Sequence, residues 1–167
     1  MLEAYIPQEL TQRKQWVLWK NVNRNGHCTK VPYQIDGTPA KSNAPDTWAT
    51  FADALSVLRR GGYEGIGFVF HENDGIVGID LDGCRNPDTG QIENWAKDII
   101  SRVNSYTEVS PSGSGVKIFA CGTSPFRSGK NKNLPQFKSH GEKEAGIEIY
   151  DKGRFFAVTG HEVNSIE

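Results

Sequence analysis

Two carboxylates one residue apart end an apolar segment near the middle of the chain, Gly75-Ile-Val-Gly-Ile-Asp-Leu-Asp-Gly83. Alternate side chains of a β-strand point to the same face, so Asp80 and Asp82 share a face. Neighbouring carboxylates repel each other and stay ionised together beside a cation, and ligand sets made of oxygen favour Mg²⁺ or Mn²⁺. The pattern predicts a divalent-metal site. The alternative is a polar strand end that runs into a turn.

A third acid lies in a similar setting in Ile147-Glu-Ile-Tyr-Asp151. Glu148 alternates with two isoleucines, so its carboxylate faces away from the apolar side of the strand and needs a partner. That partner is either a cation or Arg154, across a hairpin that we predict from the turn at Asp151-Lys-Gly153. Asp151 itself is more simply a turn residue.

Small and hydroxyl residues precede a lysine in Ser110-Pro-Ser-Gly-Ser-Gly-Val-Lys117. Small residues allow backbone N–H groups to approach a phosphate, serine hydroxyls donate to it and a lysine adds a point charge. The spacing is not that of a Walker loop, and we predict a strand rather than a helix after it. The candidate phosphate contacts are Ser112, Gly113, Ser114, Gly115 and Lys117, and the alternative is an ordinary turn between strands.

The composition limits the class of protein. A chain of 167 residues with 37% hydrophobic and 23% charged residues predicts one soluble globular domain. Its net charge of −1 excludes a uniformly basic nucleic-acid binder, although positive residues dominate between Lys117 and Lys143. No apolar run has membrane-spanning length and the N-terminus lacks a signal-peptide pattern, so we expect a cytoplasmic protein. The widely spaced Cys28, Cys84 and Cys121 are expected to be reduced thiols.

Periodicity and turn residues predict an α+β fold with mostly antiparallel sheets and flanking helices. We predict a short helix and a buried strand within residues 7–20, a hairpin to a strand at 30–35, and a helix that begins after Asp46 or Thr47. Strands at 65–70 and 75–82 are predicted to form a second hairpin, followed by a helix over about 92–103. Strands at 107–110 and 116–120, a basic loop, and a last hairpin over 146–159 complete the expectation.

In order and spacing, these segments resemble the archaeo-eukaryotic primase superfamily, specifically the primase–polymerase (prim-pol) domains of phages and plasmids. The resemblance covers nearly the whole chain and rests on the motifs above together with Trp16-Val-Leu-Trp-Lys20, Lys30-Val-Pro-Tyr33, Asn43-Ala-Pro-Asp-Thr-Trp48, Gly65-Ile-Gly-Phe-Val-Phe70 and Arg154-Phe-Phe-Ala-Val-Thr-Gly160. It implies a catalytic half like an RNA-recognition-motif sheet, with acids on its face, and an N-terminal α/β half. Trp16, Trp19 and Trp48 are then expected mostly in the core.

The resemblance also implies roles for individual residues. Asp80 and Asp82 match the metal-binding Asp-x-Asp of the family. The family also has a late acid, an acidic residue on a strand nearer the C-terminus, and Glu148 matches it better than Asp151 does. Lys117 stands where a histidine is usual in the family, and a lysine there keeps a phosphate-binding charge. Arg154 is a candidate triphosphate contact and His161 a weaker one. The basic residues expected to follow template or primer are Lys30, Lys41, Arg127, Lys130 and Lys132.

The activity so implied is DNA primase or polymerase chemistry, in which a nucleoside triphosphate is added to a primer 3′-hydroxyl or to an initiating nucleotide. The expected cofactor is a pair of Mg²⁺ or Mn²⁺ ions, and the expected partners are nucleoside triphosphates and single-stranded DNA template and primer. Residues 1–167 are predicted to form one catalytic domain. Related proteins commonly continue into a helical accessory domain or a helicase, so a domain alone is expected to extend primers rather than initiate them. A metal-dependent nuclease and a nucleotide- or single-strand-binding module are the alternatives.

Overall fold

A computed structural model describes residues 6–24, 26–126 and 129–163 of the chain. Within these residues it contains three α-helices, α1 (Gln8–Thr11), α2 (Phe51–Arg59) and α3 (Asn94–Val103). The nine strands of this part are β1 (Trp16–Arg24), β2 (His27–Tyr33), β3 (Gly65–Val69), β4 (Ile76–Asp82), β5 (Thr107–Val109), β6 (Val116–Cys121), β7 (Lys130–Asn133), β8 (Gly146–Tyr150) and β9 (Phe155–Val158). No helix of the described residues is both long and apolar enough to cross a membrane.

The strands form two antiparallel sheets, which confirms the predicted α+β class. The four-stranded sheet has the order β2-β1-β3-β9, and the five-stranded sheet has the order β5-β6-β4-β8-β7. Along the chain, β4 is followed by α3, β5 and β6. In the larger sheet, β6 pairs with β5 and with one edge of β4, and β8 pairs with the other edge of β4. The order β5-β6-β4-β8 is that of an RNA-recognition-motif sheet, as the resemblance implies.

Two apolar layers hold these elements together. The main core lies between the sheets and contains the rings of Trp16, Phe68, Phe70, Phe119 and Phe156 in edge-to-face and stacked contacts. The second core lies between α3 and the opposite face of the five-stranded sheet, and it consists of Leu81, Cys84, Ile92, Ala96, Ile100, Val116 and Ile118. Since α3 covers one face of β4, the carboxylates on the other face point toward the four-stranded sheet.

The predicted burial of the tryptophans and the free state of the cysteines are confirmed. Trp16, Trp19 and Trp48 are all buried. The indole N–H groups of Trp16 and Trp19 donate to the carbonyls of Leu10 and Ile66 at 3.1 Å. Their aromatic surface therefore contributes to the core and their polar atom is satisfied. The three cysteines are free thiols.

Two predicted hairpins are wrong. The strands β3 and β4 lie in different sheets, and so do β8 and β9. A strand has only two edges for pairing, and β3 uses both for β1 and β9 while β4 uses both for β6 and β8. The turns at residues 70–75 and 151–154 therefore connect the two sheets rather than adjacent strands. Only the β1–β2 hairpin is confirmed.

Two further element boundaries differ from the prediction. The helix predicted to begin after Asp46 or Thr47 begins at Phe51, because the hydroxyl of Thr50 caps it by accepting from the N–H of Asp53 at 3.2 Å. Part of the predicted basic loop forms β7, whose four residues are all exposed and polar. Such an edge strand carries no apolar alternation, so the sequence gives no strand signal there.

Candidate active site in the cleft between the two sheets

A row of polar residues crosses the five-stranded sheet on the face opposite α3. Cross-strand register places Lys117 of β6 next to Asp80 of β4, and Asp80 next to Glu148 of β8. Glu108 of β5 and Asn131 of β7 extend the row on either side. Direct cross-strand partners lie on the same face with their Cβ atoms about 5 Å apart, so this register concentrates charge along one line.

The row lies where apolar packing between the sheets ends. One step earlier on the same face of β4, Gly78 lies under the rings of Phe70 and Phe156, and a Cβ there would approach them to 2.3 and 2.5 Å. Two residues later, Asp80 faces a cleft lined from the four-stranded sheet by Lys30 and Ala157, among others. Glycine at position 78 therefore allows the sheets to pack directly beside the polar row.

Asp80 is a buried carboxylate with one satisfied and one unsatisfied oxygen. Its residue is 6% exposed, and Oδ2 accepts a close hydrogen bond from the ammonium of Lys117. The ammonium of Lys117 also lies 4.3 Å from the centre of the Phe156 ring. Asp80 Oδ1 is buried and has no hydrogen-bond partner within the part of the chain that the structure describes. Buried carboxylate oxygens almost always have a partner, so this oxygen is suited to a ligand in the cleft.

Asp82 continues the same face of β4 and interacts with a second lysine. Both of its oxygens accept from the ammonium of Lys143 at 2.8 Å. Burial, and then the charge of Asp80, raises the pKa of Asp82, although Lys143 partly offsets both effects. Burial disfavours the charged form of Lys143, but the hydrogen bond and charge of Asp82 outweigh it and raise the pKa of Lys143. The two aspartates therefore repel each other, and each pairs with a lysine.

Glu148 is the third carboxylate of this face. Its Oε2 accepts from the hydroxyl of Tyr150 at 2.9 Å, and burial together with Glu148 raises the pKa of that phenol. Among the described residues, no ion pair joins Glu148 to Arg154, whose guanidinium lies 5.2 Å from the centre of the Tyr150 ring. Asp151 lies away from the row, and its carboxylate accepts from the N–H of Ser124 at 3.0 Å. Glu148 is therefore the late acid that lies beside Asp80.

The donor set fits a divalent cation, although the described residues form no preassembled group of three His, Cys, Asp or Glu ligands. The ammonium of Lys143 occupies both oxygens of Asp82, whereas that of Lys117 occupies only Oδ2 of Asp80. The oxygens of Asp80, Asp82 and Glu148 match the preference of Mg²⁺ and Mn²⁺, and Asp80 Oδ1 is available.

The serine loop lies between β5 and β6 and presents hydroxyl groups to the cleft. The Oγ atoms of Ser110, Ser112 and Ser114 form a chain with 3.0 Å between neighbours. The N–H groups of Gly113 and Gly115 donate to the carbonyl and hydroxyl of Ser110. These backbone donors are therefore used inside the loop, in contrast to the predicted backbone cradle. The serine hydroxyls and Lys117 remain as candidate phosphate donors.

Two adjoining pockets divide the cleft. They share Lys30, Asp80, Lys117, Lys143 and Cys28 as lining residues. The first, of about 500 Å³, also contains Asp82 with Ser110, Ser112 and Ser114. The second, of about 570 Å³, also contains Glu148, Tyr150 and Arg154. The serine loop and Arg154 therefore lie on opposite sides of the Asp80–Lys117 pair.

His161 is exposed, its carbonyl accepts from the N–H of Val109, and it lines neither pocket.

The predicted nucleic-acid contacts separate into two groups. Lys30 reaches the cleft from β2, and its pKa is lowered by partial desolvation and by the ammonium groups of Lys117 and Lys143. Lys41 and Lys130 are exposed outside the two pockets. Lys132 is also exposed, but it lines a further pocket with Asp82 and Glu148. Arg127 lies outside the described residues.

Sequence reasoning missed Glu108. It is fully buried, and its carboxylate accepts from the Tyr106 hydroxyl at 2.9 Å and from the N–H groups of Thr159 and Gly160 at 2.9 and 3.0 Å. Burial raises its pKa. Glu108 thus fastens the segment after β9 to the edge of the five-stranded sheet. Glu108 is an acid between Thr107 and Val109 in a buried strand, a setting that resembles that of Glu148. This pattern is the feature of the sequence that points to Glu108.

Comparison with known proteins finds a phage protein that is similar to nearly the whole of this chain. No family model matches the chain. Over 161 residues the chain is 33% identical to the DNA primase-polymerase of Nitratiruptor phage NrS-1. This similarity supports a prim-pol relationship. The alignment covers 96% of this chain and 21% of the phage protein, so the chain spans about a fifth of the length of that relative.

Proposed function

We propose that this chain is a prim-pol catalytic domain that transfers nucleotides from nucleoside triphosphates to a DNA primer on a single-stranded template. The observation that carries the proposal is the row Lys117–Asp80–Glu148, with Asp82 on the same face, beside a hydroxyl-rich loop. The similarity to a phage primase-polymerase supports this choice among the reactions that use acids and phosphates.

In this proposal the first pocket binds the triphosphate. The hydroxyls of Ser112 and Ser114 donate to phosphate oxygens, and Lys117 supplies positive charge. Lys117 is held in place by Asp80 and the Phe156 ring, so its ammonium is positioned before the nucleotide arrives. Fixed donors reduce the reorganisation needed when negative charge develops on the phosphates.

The carboxylates of Asp80, Asp82 and Glu148 would hold Mg²⁺ or Mn²⁺, which would neutralise phosphate charge and lower the pKa of the attacking hydroxyl. The second pocket adjoins these acids and carries Arg154 and Tyr150 at its wall. We assign it to the primer end, because the attacking 3′-hydroxyl must approach the α-phosphate from the side opposite the departing pyrophosphate. Arg154 then binds primer backbone or phosphate.

The experiment is primer extension. The protein is incubated with a labelled primer on a single-stranded DNA overhang, Mn²⁺ or Mg²⁺ and all four deoxynucleotides. We expect a ladder of longer products that disappears in Asp82→Asn and persists in Asp151→Asn, since Asp151 accepts a backbone hydrogen bond far from the row. Shorter products would identify a nuclease. Unchanged primer with retained nucleotide binding would identify a binding module.

A further inference from the structure

Lys143 occupies a place in the candidate site that neither the motifs nor the comparison assign. It lies in the segment between β7 and β8, and this segment packs against the turn after Asp82. The N–H of His140 donates to the carbonyl of Gly83 at 3.0 Å, and the His140 ring contacts Glu93 of the turn before α3 at 2.7 Å. A Cβ at Gly83 would lie 2.7 Å from the carbonyl oxygen of Lys143. The backbone of Lys143 is therefore fixed beside Asp82.

The two lysines that pair with the aspartates differ in how easily their ammonium groups can dissociate from the carboxylates. The side chain of Lys117 is 11% exposed and lies against the Phe156 ring. The side chain of Lys143 is 62% exposed, and its ammonium bonds both oxygens of Asp82. An ion pair whose cation is largely exposed contributes little to stability. Lys143 can therefore exchange Asp82 for solvent or another anion at small cost, whereas Lys117 cannot.

The charges around the two pockets balance without a metal ion. Their lining includes four cationic side chains, Lys30, Lys117, Lys143 and Arg154, and four acidic ones, Asp80, Asp82, Glu142 and Glu148. A divalent cation that enters alone must displace an ammonium and leave it near added positive charge. A cation that enters with a triphosphate brings net negative charge, which the displaced ammonium can neutralise.

We propose that Lys143 is a displaceable counter-ion, which holds Asp82 in the free protein and transfers to the triphosphate when the metal enters with it. This inference rests on the proposed function. It makes metal and nucleotide binding mutually dependent, because each removes a charge that opposes the other. Lys117 remains with Asp80 throughout.

The first test is Mn²⁺ binding, measured by electron paramagnetic resonance without nucleotide. Lys143→Met is expected to bind Mn²⁺ up to about fivefold more tightly than the unmodified protein, the fold-change that corresponds to an ion pair with an exposed cation. Lys143→Arg keeps the charge and is expected to resemble the unmodified protein. Lys138→Met, an exposed lysine of the same segment, is the matched control and is expected to leave Mn²⁺ affinity unchanged.

The second test is binding of a non-hydrolysable nucleoside triphosphate in saturating Mn²⁺. Here Lys143→Met is expected to bind more weakly than the unmodified protein, so the same substitution shifts the two affinities in opposite directions. A merely structural role would lower both.

Equal Mn²⁺ affinity in Lys143→Met and the unmodified protein, with binding lost in Asp82→Asn, would overturn the role of Lys143 and leave the proposed function intact. Absence of Mn²⁺ binding in every variant, with and without nucleotide, would overturn both.

Discussion

At the scale of single residues, the candidate site consists of charges that folding alone does not favour. Asp80 keeps a buried oxygen without a partner, and the pKa of Asp82 is raised by burial and by Asp80. Proteins tolerate such arrangements where a ligand later satisfies them. At these two residues, the charges that suit the site to ligand binding therefore lower the stability of the domain.

Asp82→Asn is expected to raise thermal stability while it abolishes primer extension. Because the pKa of Asp82 is raised in the folded protein, its ionisation costs stability as pH rises above about 3.8, its ordinary value. Asparagine removes that cost at neutral pH and loses only an ion pair whose lysine is largely exposed. We expect a melting temperature about 1–3 °C higher at pH 7, with the difference shrinking as pH falls toward the carboxyl range. A lower melting temperature at pH 7 would contradict this prediction.

Lys117→Met is expected to destabilise the domain by about 3 kcal/mol, because it leaves Asp80 buried and charged without a partner. Adding Asp80→Asn removes the unpaired charge, so the double variant should recover much of the loss. Urea unfolding of the two single variants and the double variant measures the interaction. A double variant whose loss equals the sum of the single losses would show that the pair is not coupled.

At the scale of elements, local signals predicted where strands lie but not which strands pair. The alternation around Asp80, the glycine-rich turns and the amphipathic pattern of α3 all act over a few residues, and the structure confirms them. Pairing of β3 with β9 and of β4 with β8 is decided by contacts distant in sequence. Turn residues at 70–75 and 151–154 are compatible with either a hairpin or a change of sheet, so the sequence did not distinguish them.

The same limit applies to the candidate site. Strand periodicity was enough to place Asp80 with Asp82 and to direct Glu148 away from its isoleucine neighbours. It did not show that Lys117 bonds Asp80, that Lys143 bonds Asp82, or that the serine-loop amides bond internally. These contacts depend on register between separate strands and on the course of a loop, neither of which leaves a periodic signal.

Gly78→Ala is expected to destabilise the packing of the two sheets by about 2 kcal/mol, because the added methyl would enter the rings of Phe70 and Phe156. Gly146→Ala is the matched control, since its Cβ would meet its nearest neighbour, the Lys132 carbonyl oxygen, at 3.4 Å, an ordinary contact. Chemical denaturation measures both losses. Equal losses would show that the contact with the rings does not determine the effect.

At the scale of the whole molecule, the site is assembled from nearly the full length of the described chain. The pockets combine β2, β4, β6, β8 and the residues around β9, so no short segment contains the site. Interactions between residues distant in sequence slow folding, and they make the site dependent on complete formation of both sheets. Although the net charge of the chain is −1, several cationic side chains line the cleft.

Lys30→Met is expected to weaken binding of single-stranded DNA and to reduce the salt dependence of that binding. Each phosphate contact contributes about 0.7 to the slope of log affinity against log salt for single strands. Fluorescence anisotropy with a labelled oligonucleotide at several salt concentrations measures the slope. Lys152→Met is the control, because Lys152 pairs with Glu72 outside the two pockets. An unchanged slope in Lys30→Met would exclude Lys30 as a backbone contact.

The position of Asp80 and Asp82 on one face of a central strand also bears on how the chain folds. If β4 slipped by one residue against β6 and β8, both carboxylates would turn toward the apolar layer under α3, beside Ala96 and Ile100. Burial of two unpaired charges there would cost several kcal/mol, so the slipped pairing is strongly disfavoured. The acids proposed for catalysis therefore also disfavour an incorrect register of β4 in the sheet that carries them.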